Sequence, residues 1–120
     1  MWIKYNANPT ASRVGDCTVR AISKAMGKTW EETYLMLAIE GLLLHDMPSS
    51  NYVWMTFLKR EGFNRSTCRD CCTVRQFAEE HPDGTYILAL SGHVVACCDS
   101  CYFDTWDSGD EIVLSYLERR

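Results

Sequence analysis

Residues 84–106, GTYILALSGHVVACCDSCYFDTW, decide the fold of this chain. β-Branched and aromatic residues dominate 85–91 and 93–98, and this pattern predicts two short strands after the Asp83-Gly84 turn signal. Asp99-Ser100 predicts a two-residue turn into a third strand over 101–106. The stretch therefore predicts a run of antiparallel strands joined by tight turns.

The turn at Asp99-Ser100 also predicts which residues lie opposite each other. It places His93 opposite Trp106 and Val95 opposite Asp104. Because side chains alternate between the two faces of a strand, these four share one face of the strand pair. Asp104 is then diagonal to His93, within reach of a contact between carboxylate and imidazole.

Upstream of this stretch the sequence predicts four helices. Thr29 and Glu32 have capping-box spacing, as do Thr73 and Gln76. The predicted helices run from Cys17 to about Met26, from Thr29 to about Leu44, from about Tyr52 to Glu61, and from Thr73 to a stop at Pro82. Residues 1–16 predict an irregular arm, with Asp16 as the N-cap of the first helix. Residues 111–117 fit a last strand or a helix, and the strand is the preferred prediction.

Helices first and strands later predict an α+β fold, in which N-terminal helices pack on a C-terminal antiparallel β-sheet. The length of 120 residues favours a single domain spanning 1–120. The net charge of −4 gives no support to binding of nucleic acid or an anionic membrane. No run of 18 apolar residues and no signal-peptide hydrophobic region is present, which predicts a cytoplasmic protein.

Cys17 stands at the first turn of a predicted helix, a position that favours reactivity. The positive end of a helix dipole stabilises the thiolate, which is the nucleophilic form of cysteine. Free backbone N–H groups at the same place can hold an oxyanion. Such a nucleophile needs a base, and His93 begins an otherwise apolar strand. Asp104 is the predicted orienting group for that base, and Asp107 is the alternative.

Three stretches, GDCTVRAISKA (15–25), GTYILALSGHVVACCD (84–99) and YFDTWDSG (102–109), resemble the papain-like superfamily of cysteine peptidases. They resemble especially its small members from bacteriophages and mobile elements, and the first is similar to the Asp-Cys opening of bacteriocin-leader peptidases. The resemblance implies a papain-like fold with Cys17 as nucleophile, His93 as general base and then acid, and Asp104 as orienter. It implies a peptide or protein substrate and no cofactor or metal. Transglutaminases and acyltransferases share such a triad.

The family pattern places a Gln about six residues before the nucleophile to complete the oxyanion hole. Here Ala11 occupies that position, and no Gln precedes Cys17. Asn6, Asn8 and Ser12 are the alternatives in the N-terminal arm, and Asn8 is the predicted partner.

The remaining cysteines support a different hypothesis. Cys68, Cys71, Cys98 and Cys101 form two Cys-x-x-Cys pairs with zinc-ribbon spacing. Reduced structural cysteines are the default for an odd number of thiols without a signal peptide, and a disulfide between Cys98 and Cys101 is a third alternative. Two alternative functions therefore stand beside the hydrolase. One is a catalytically idle papain-like fold that acts as a binding module, and the other is a small interaction domain stabilised by zinc at these four cysteines.

Overall fold

The helices and strands are distributed along residues 1–68 and 72–119, the part of the chain that the computed structural model describes. In chain order the described residues form β1 (Trp2–Lys4), α1 (Cys17–Met26), α2 (Trp30–Leu44), α3 (Asn51–Arg60), β2 (Asn64–Thr67), α4 (Val74–Glu80), β3 (Thr85–Leu90), β4 (His93–Cys98), β5 (Cys101–Asp104) and β6 (Ser115–Arg119). The six strands form one sheet in the order β1-β5-β4-β3-β6-β2. The predicted α+β class is confirmed.

The sheet is mixed, so the prediction of a purely antiparallel sheet is wrong. β1 pairs with β5 in parallel, with Trp2 beside Tyr102, whereas the other strand pairs are antiparallel. The prediction of an irregular arm over 1–16 is therefore also wrong for Trp2–Lys4. A three-residue edge strand carries too little alternation to be recognised, and it forms because the outer edge of β5 offers unpaired N–H and C=O groups.

The hairpin register predicted from Asp99-Ser100 is confirmed. Cys98 pairs with Cys101, and Ala96 pairs with Phe103. Asp99 and Ser100 have φ values of 49° and 70°, the double positive φ of a type I′ turn, whose twist matches that of the flanking strands. β5 ends at Asp104, two residues earlier than predicted.

Two further differences lie at the opposite edge of the sheet. β2 has the sequence NRST and is largely exposed, so it lacks the apolar alternation that predicts a strand. The last strand covers Ser115–Arg119 rather than 111–117, because Ile112 instead makes an isolated bridge to Thr73 beside α4.

The predicted helices form with the expected ends. Both capping boxes are present, at Thr29 with Glu32 and at Thr73 with Gln76. Gly27 ends α1 in the left-handed conformation that glycine adopts without strain. None of the helices in 1–68 and 72–119 combines the length and apolar character needed to traverse a lipid bilayer.

The core has two halves, one on each face of the sheet. Alternate residues of β3 face opposite ways: Ile87 contributes to the cluster formed with α1, α2 and α3, and Leu88 contributes to the cluster formed with α4. Trp54 is the largest fully buried side chain of the first cluster, and Tyr102 is the largest of the second. The sheet is thus covered on both sides, and α1 is held against β4, where the candidate site lies.

Candidate active site

Cys17 is the first residue of α1, and its side chain is partly buried. Asp16 occupies the N-cap position as predicted, but its side chain makes no capping hydrogen bond. Instead the Asp16 carboxylate pairs with Arg20 one turn later and accepts a hydrogen bond from Trp30 Nε1 at 3.0 Å. The segment before Cys17 is therefore tied to both α1 and α2, and this fixes where the helix begins.

His93 and Asp104 meet at the open end of the β4–β5 hairpin. His93 Nε2 lies 2.6 Å from Asp104 Oδ2. The confirmed register explains this contact, because it carries the last residue of β5 to a position diagonal to the first residue of β4. The His93 ring also lies 5.2 Å from the half-exposed Trp106 ring, centroid to centroid.

Cys17 completes the constellation by interacting with His93. Burial raises the pKa of the Cys17 thiol, but a hydrogen bond to His93, the positive charge of that ring, and contributions from the Val94 backbone and Arg20 together lower it below its ordinary value. Burial lowers the pKa of His93, but hydrogen bonds to Asp104 and Cys17 raise it to about 9. A lowered thiol pKa and a raised imidazole pKa are the two directions that favour an ion pair of thiolate and imidazolium. With Nε2 on Asp104, Nδ1 is the ring nitrogen available to Cys17.

Asp104 is held by several groups besides His93. It is buried, its Oδ1 accepts the Thr105 N–H at 2.8 Å, and its Oδ2 accepts the Ser108 hydroxyl at 2.8 Å. Arg20 Nη2 lies 3.7 Å from Asp104 Oδ1. Ser108, which is itself fully buried, was not a sequence candidate. Its spacing of four residues from Asp104 gives no signal unless the turn after β5 is known.

Asp107, the alternative orienter, does not contact His93. Its Oδ1 accepts hydrogen bonds from the Tyr102 hydroxyl and from the Gly109 N–H at 3.0 Å. Those contacts hold the pKa of Asp107 below its usual range. Asp107 therefore organises the turn after β5, while Asp104 is the carboxylate at the site.

Asn8, the predicted oxyanion partner, is not among the residues that line the cleft beside Cys17. Asn8 Oδ1 accepts the Thr10 N–H at 3.0 Å and also the Thr10 hydroxyl, an Asx-type turn. Asn8 Nδ2 points to Asp16 Oδ2 at 3.5 Å. Both ends of the amide are therefore used to shape the N-terminal arm.

The site opens into a cleft of about 750 Å³ between the N-terminal arm and the hairpin end. Asn6 and Ser12, the other two alternatives, both line it. Asn6 Oδ1 accepts the Asn8 N–H at 3.0 Å, which leaves the Asn6 Nδ2 hydrogens for another acceptor. Other lining residues are Lys4, Ala11, Arg13, Val14, Gly15, Cys17, Arg20, Gly92, His93, Thr105 and Trp106.

The cysteine pairs of the zinc hypothesis do not converge. Cys68 follows β2, whereas Cys98 and Cys101 flank the β4–β5 turn, and three strand spacings of roughly 4.8 Å each separate β2 from β4. Cys71 lies outside the described residues. Within 1–68 and 72–119, no group of three or more His, Cys, Asp or Glu side chains is placed to hold a metal ion. Cys68, Cys98 and Cys101 therefore do not share one ion, and all three are free thiols.

The chain was compared with known proteins in three ways. No protein-family model, no curated protein and no solved structure matches it. The function is therefore inferred from the chemistry of the cleft and from the resemblance carried by the three sequence stretches.

Proposed function

We propose that this chain is a thiol hydrolase of papain-like type, a peptidase or isopeptidase that transfers an acyl group to water through Cys17. The 2.6 Å contact between His93 Nε2 and Asp104 Oδ2, on a ring that also lowers the pKa of Cys17, carries the proposal. Covalent acyl transfer requires a nucleophile, a base next to it, and a carboxylate that orients the base. The resemblance of 15–25, 84–99 and 102–109 to papain-like peptidases supports the same conclusion.

In the first half of the reaction the Cys17 thiolate attacks the carbonyl carbon of the substrate, and the carbonyl π electrons move to oxygen. As the tetrahedral species collapses, the C–N bond breaks and the imidazolium of His93 gives its proton to the leaving amine. The products of this half are a thioester on Cys17, a neutral His93 and the free amine. Asp104 keeps the ring oriented and stabilises its charged form.

In the second half a water molecule attacks the thioester carbonyl, and neutral His93 takes its proton. The tetrahedral species expels the Cys17 thiolate and releases the carboxylic acid, which restores the ion pair. An acyltransferase or transglutaminase would differ only here, because an amine or alcohol would replace water as the acceptor.

The developing oxyanion needs hydrogen-bond donors close to Cys17. The Cys17 N–H is one, since it lies in the first turn of α1, where backbone N–H groups have no partner within the helix. Asn6 is the second donor we propose, because it lines the same cleft and its Nδ2 hydrogens are not used by the Asn8 contact. Asn6 would thus supply the side-chain donor of the oxyanion hole, which is a Gln in many papain-like enzymes.

An activated ester tests the chemistry without knowledge of the natural substrate. p-Nitrophenyl acetate should acetylate Cys17 rapidly, and peptide mapping by mass spectrometry should find the thioester there. Cys101, which is partly exposed and free, is an internal control for unassisted thiol reactivity. Acetylation of Cys17 no faster than that of Cys101, or an unchanged rate in His93→Ala, would contradict the proposal and favour an idle fold.

Peptide hydrolysis tests the substrate class. A mixture of unstructured peptides and isopeptide-linked peptides should be cleaved by the wild-type chain and not by Cys17→Ala. Cleavage that persists in Cys17→Ala would exclude Cys17 as the nucleophile. Transfer of the acyl group to an added amine, without hydrolysis, would instead identify an acyltransferase.

A further inference from the structure

Helix α2 is apolar around most of its circumference, but only one side of it packs against the rest of the protein. Leu37 is buried against α1 and α3, and Gly41 is buried where the chain turns back after the helix. On the opposite side large apolar side chains are exposed: Tyr34, Leu35, Ile39, Leu42 and Leu43, with Met47 just beyond the helix end. We call these six side chains the α2 face.

The α2 face has the spacing of a helix–helix seam. Leu35, Ile39 and Leu42 stand four and then three residues apart, the repeat that lines one stripe of a helix facing a partner helix. Tyr34 and Leu43 flank this stripe. Ile39, at the centre of the stripe, is 57% exposed, and Leu42, at its end, is 73% exposed, so the stripe is open to a partner.

The size of the α2 face fits an interface. From their exposed fractions, the six side chains present on the order of 700 Å² per copy, close to the ~800 Å² that each partner contributes to a standard interface. The largest apolar patch on an ordinary monomer is about 300–600 Å². The face therefore exceeds what a monomer ordinarily exposes and approaches what a dimer buries.

Charge argues for a protein partner rather than a lipid surface. Helices that lie on anionic membranes carry Lys and Arg along the polar edge. α2 has Glu31 and Glu32 in its first turn and no basic residue in its last turn. Its one other acid, Glu40, is buried and paired with Arg60 of α3, so it adds no charge to the face.

We propose that the α2 face is the interface of a symmetric homodimer, in which α2 packs antiparallel to α2 of a second copy. A two-fold axis near Ile39 would set Ile39 against its own counterpart. The same axis sets Leu35 of each copy against Leu42 and Leu43 of the other, because an isologous interface repeats every contact twice. The stripe is apolar on both sides of that axis, so it is complementary to itself. Catalysis is not required for this proposal.

Sedimentation equilibrium of the 120-residue chain over a range of micromolar concentrations tests the dimer. The expected mass approaches twice the 13.8 kDa of one chain, and Ile39→Glu should weaken association by at least about tenfold, since it buries two carboxylates at the axis. Leu114→Glu is the matched control, because Leu114 is exposed to 52% but lies outside α2. A chain that stays monomeric, or a dimer equally unaffected by Ile39→Glu and Leu114→Glu, would overturn the proposal.

Paired charges test the antiparallel arrangement. The double variant Leu35→Lys with Leu42→Glu brings opposite charges together across an antiparallel seam and should dimerise. The double variant Leu35→Lys with Leu42→Lys brings like charges together and should be monomeric. Far-UV circular dichroism and thermal unfolding establish that each variant is folded. The reverse ranking of the two folded variants would contradict the antiparallel interface, as would equal dimerisation.

Discussion

His93 Nε2 contacts Asp104 Oδ2 at 2.6 Å across the open end of the β4–β5 hairpin, where His93 is the first residue of β4 and Asp104 is the last residue of β5. Two strands and one tight turn therefore set the relative position of base and orienter. The nucleophile comes from a different part of the chain, since Cys17 begins a helix packed against β4. The three groups meet only because α1 docks on this sheet, so the reactivity of Cys17 reports on the tertiary fold.

The Cys17 thiol is expected to ionise at lower pH than an ordinary cysteine, whose pKa is about 8.5. Burial opposes this, but His93 and Arg20 outweigh it and lower the pKa. The rate of iodoacetamide alkylation at Cys17, measured against pH by peptide mapping, should reach half its plateau clearly below the midpoint for denatured chain. A midpoint equal to that of denatured chain would contradict the ion pair.

Replacing Asp104 by Asn should raise the alkylation midpoint of Cys17. The carboxylate is one of the groups that raise the pKa of His93 to about 9, so its loss lowers that pKa and weakens the positive charge beside the thiolate. Asp107→Asn is the control, because Asp107 bonds Tyr102 and Gly109 rather than His93. If the two variants shift the midpoint equally, Asp104 has no special role.

The sequence was sufficient to predict the hairpin at the site, because both of its determinants are local. Two turn residues fix the register, and strand alternation then places Asp104 diagonal to His93. The helix starts at Thr29 and Thr73 were predicted for the same reason, since capping boxes are read within four residues. Local chemistry therefore accounts for the best-predicted parts of the fold.

The parts that the sequence did not predict depend on distant segments. β1 becomes a strand because β5 leaves an edge open about a hundred residues later in the chain. Asn8 differs from Asn6 in the groups that its amide meets, which include the Asp16 carboxylate, and the path of the arm decides those contacts. Ser108 donates its hydrogen bond to Asp104 only once the turn after β5 has formed. Such roles require tertiary structure.

Ser108→Ala should lower Cys17 reactivity less than Asp104→Asn does. The Ser108 hydroxyl donates to Asp104 Oδ2, the oxygen that His93 also meets, so it restrains the carboxylate without contacting the ring. Loss of one buried hydrogen bond to a charged acceptor should also destabilise the fold by about 1.5–3 kcal/mol. Alkylation kinetics and urea unfolding measure the two effects. Ser108→Cys, which keeps a weak donor, should fall between Ala and wild type; reactivity equal to wild type in Ser108→Ala would contradict a positioning role.

Stability should depend on pH through the His93–Asp104 pair. In a Cys17→Ala background, His93 retains the Asp104 contact that raises its pKa above the ordinary 6.5, and the wild-type value is about 9. A raised folded-state pKa adds stability that is complete below about 6.5 and is lost as pH rises through the folded-state value, so the free energy of unfolding should fall over that window. The loss should be on the order of 1 kcal/mol, since the side chain is 14% exposed and Cys17 is absent.

The control for this pH dependence is Cys17→Ala with His93→Gln, which removes the titrating ring. Its free energy of unfolding should lack the extra fall between about 6.5 and 9. Chemical unfolding of both variants at closely spaced pH values gives the comparison. Parallel curves for the two variants would show that His93 gains nothing from Asp104 on folding.

Gly109→Ala should destabilise the turn that holds Ser108 and Asp107. A Cβ at Gly109 would come within 3.0 Å of the Tyr102 hydroxyl and of the Arg75 guanidinium, closer than real Cβ contacts. Tyr102 is buried and has no room to move away, so the backbone must shift. This shift should lower the free energy of unfolding by about 1–3 kcal/mol. Gly15→Ala is the matched control, because nothing lies within 4 Å of its Cβ. The urea midpoint of unfolding should therefore be lower for Gly109→Ala than for Gly15→Ala. Equal midpoints would mean that the turn accommodates the added Cβ without loss of stability. Slower alkylation of Cys17 in Gly109→Ala would further show that the conformation of this turn affects the reactivity of Cys17, through Ser108 and Asp104.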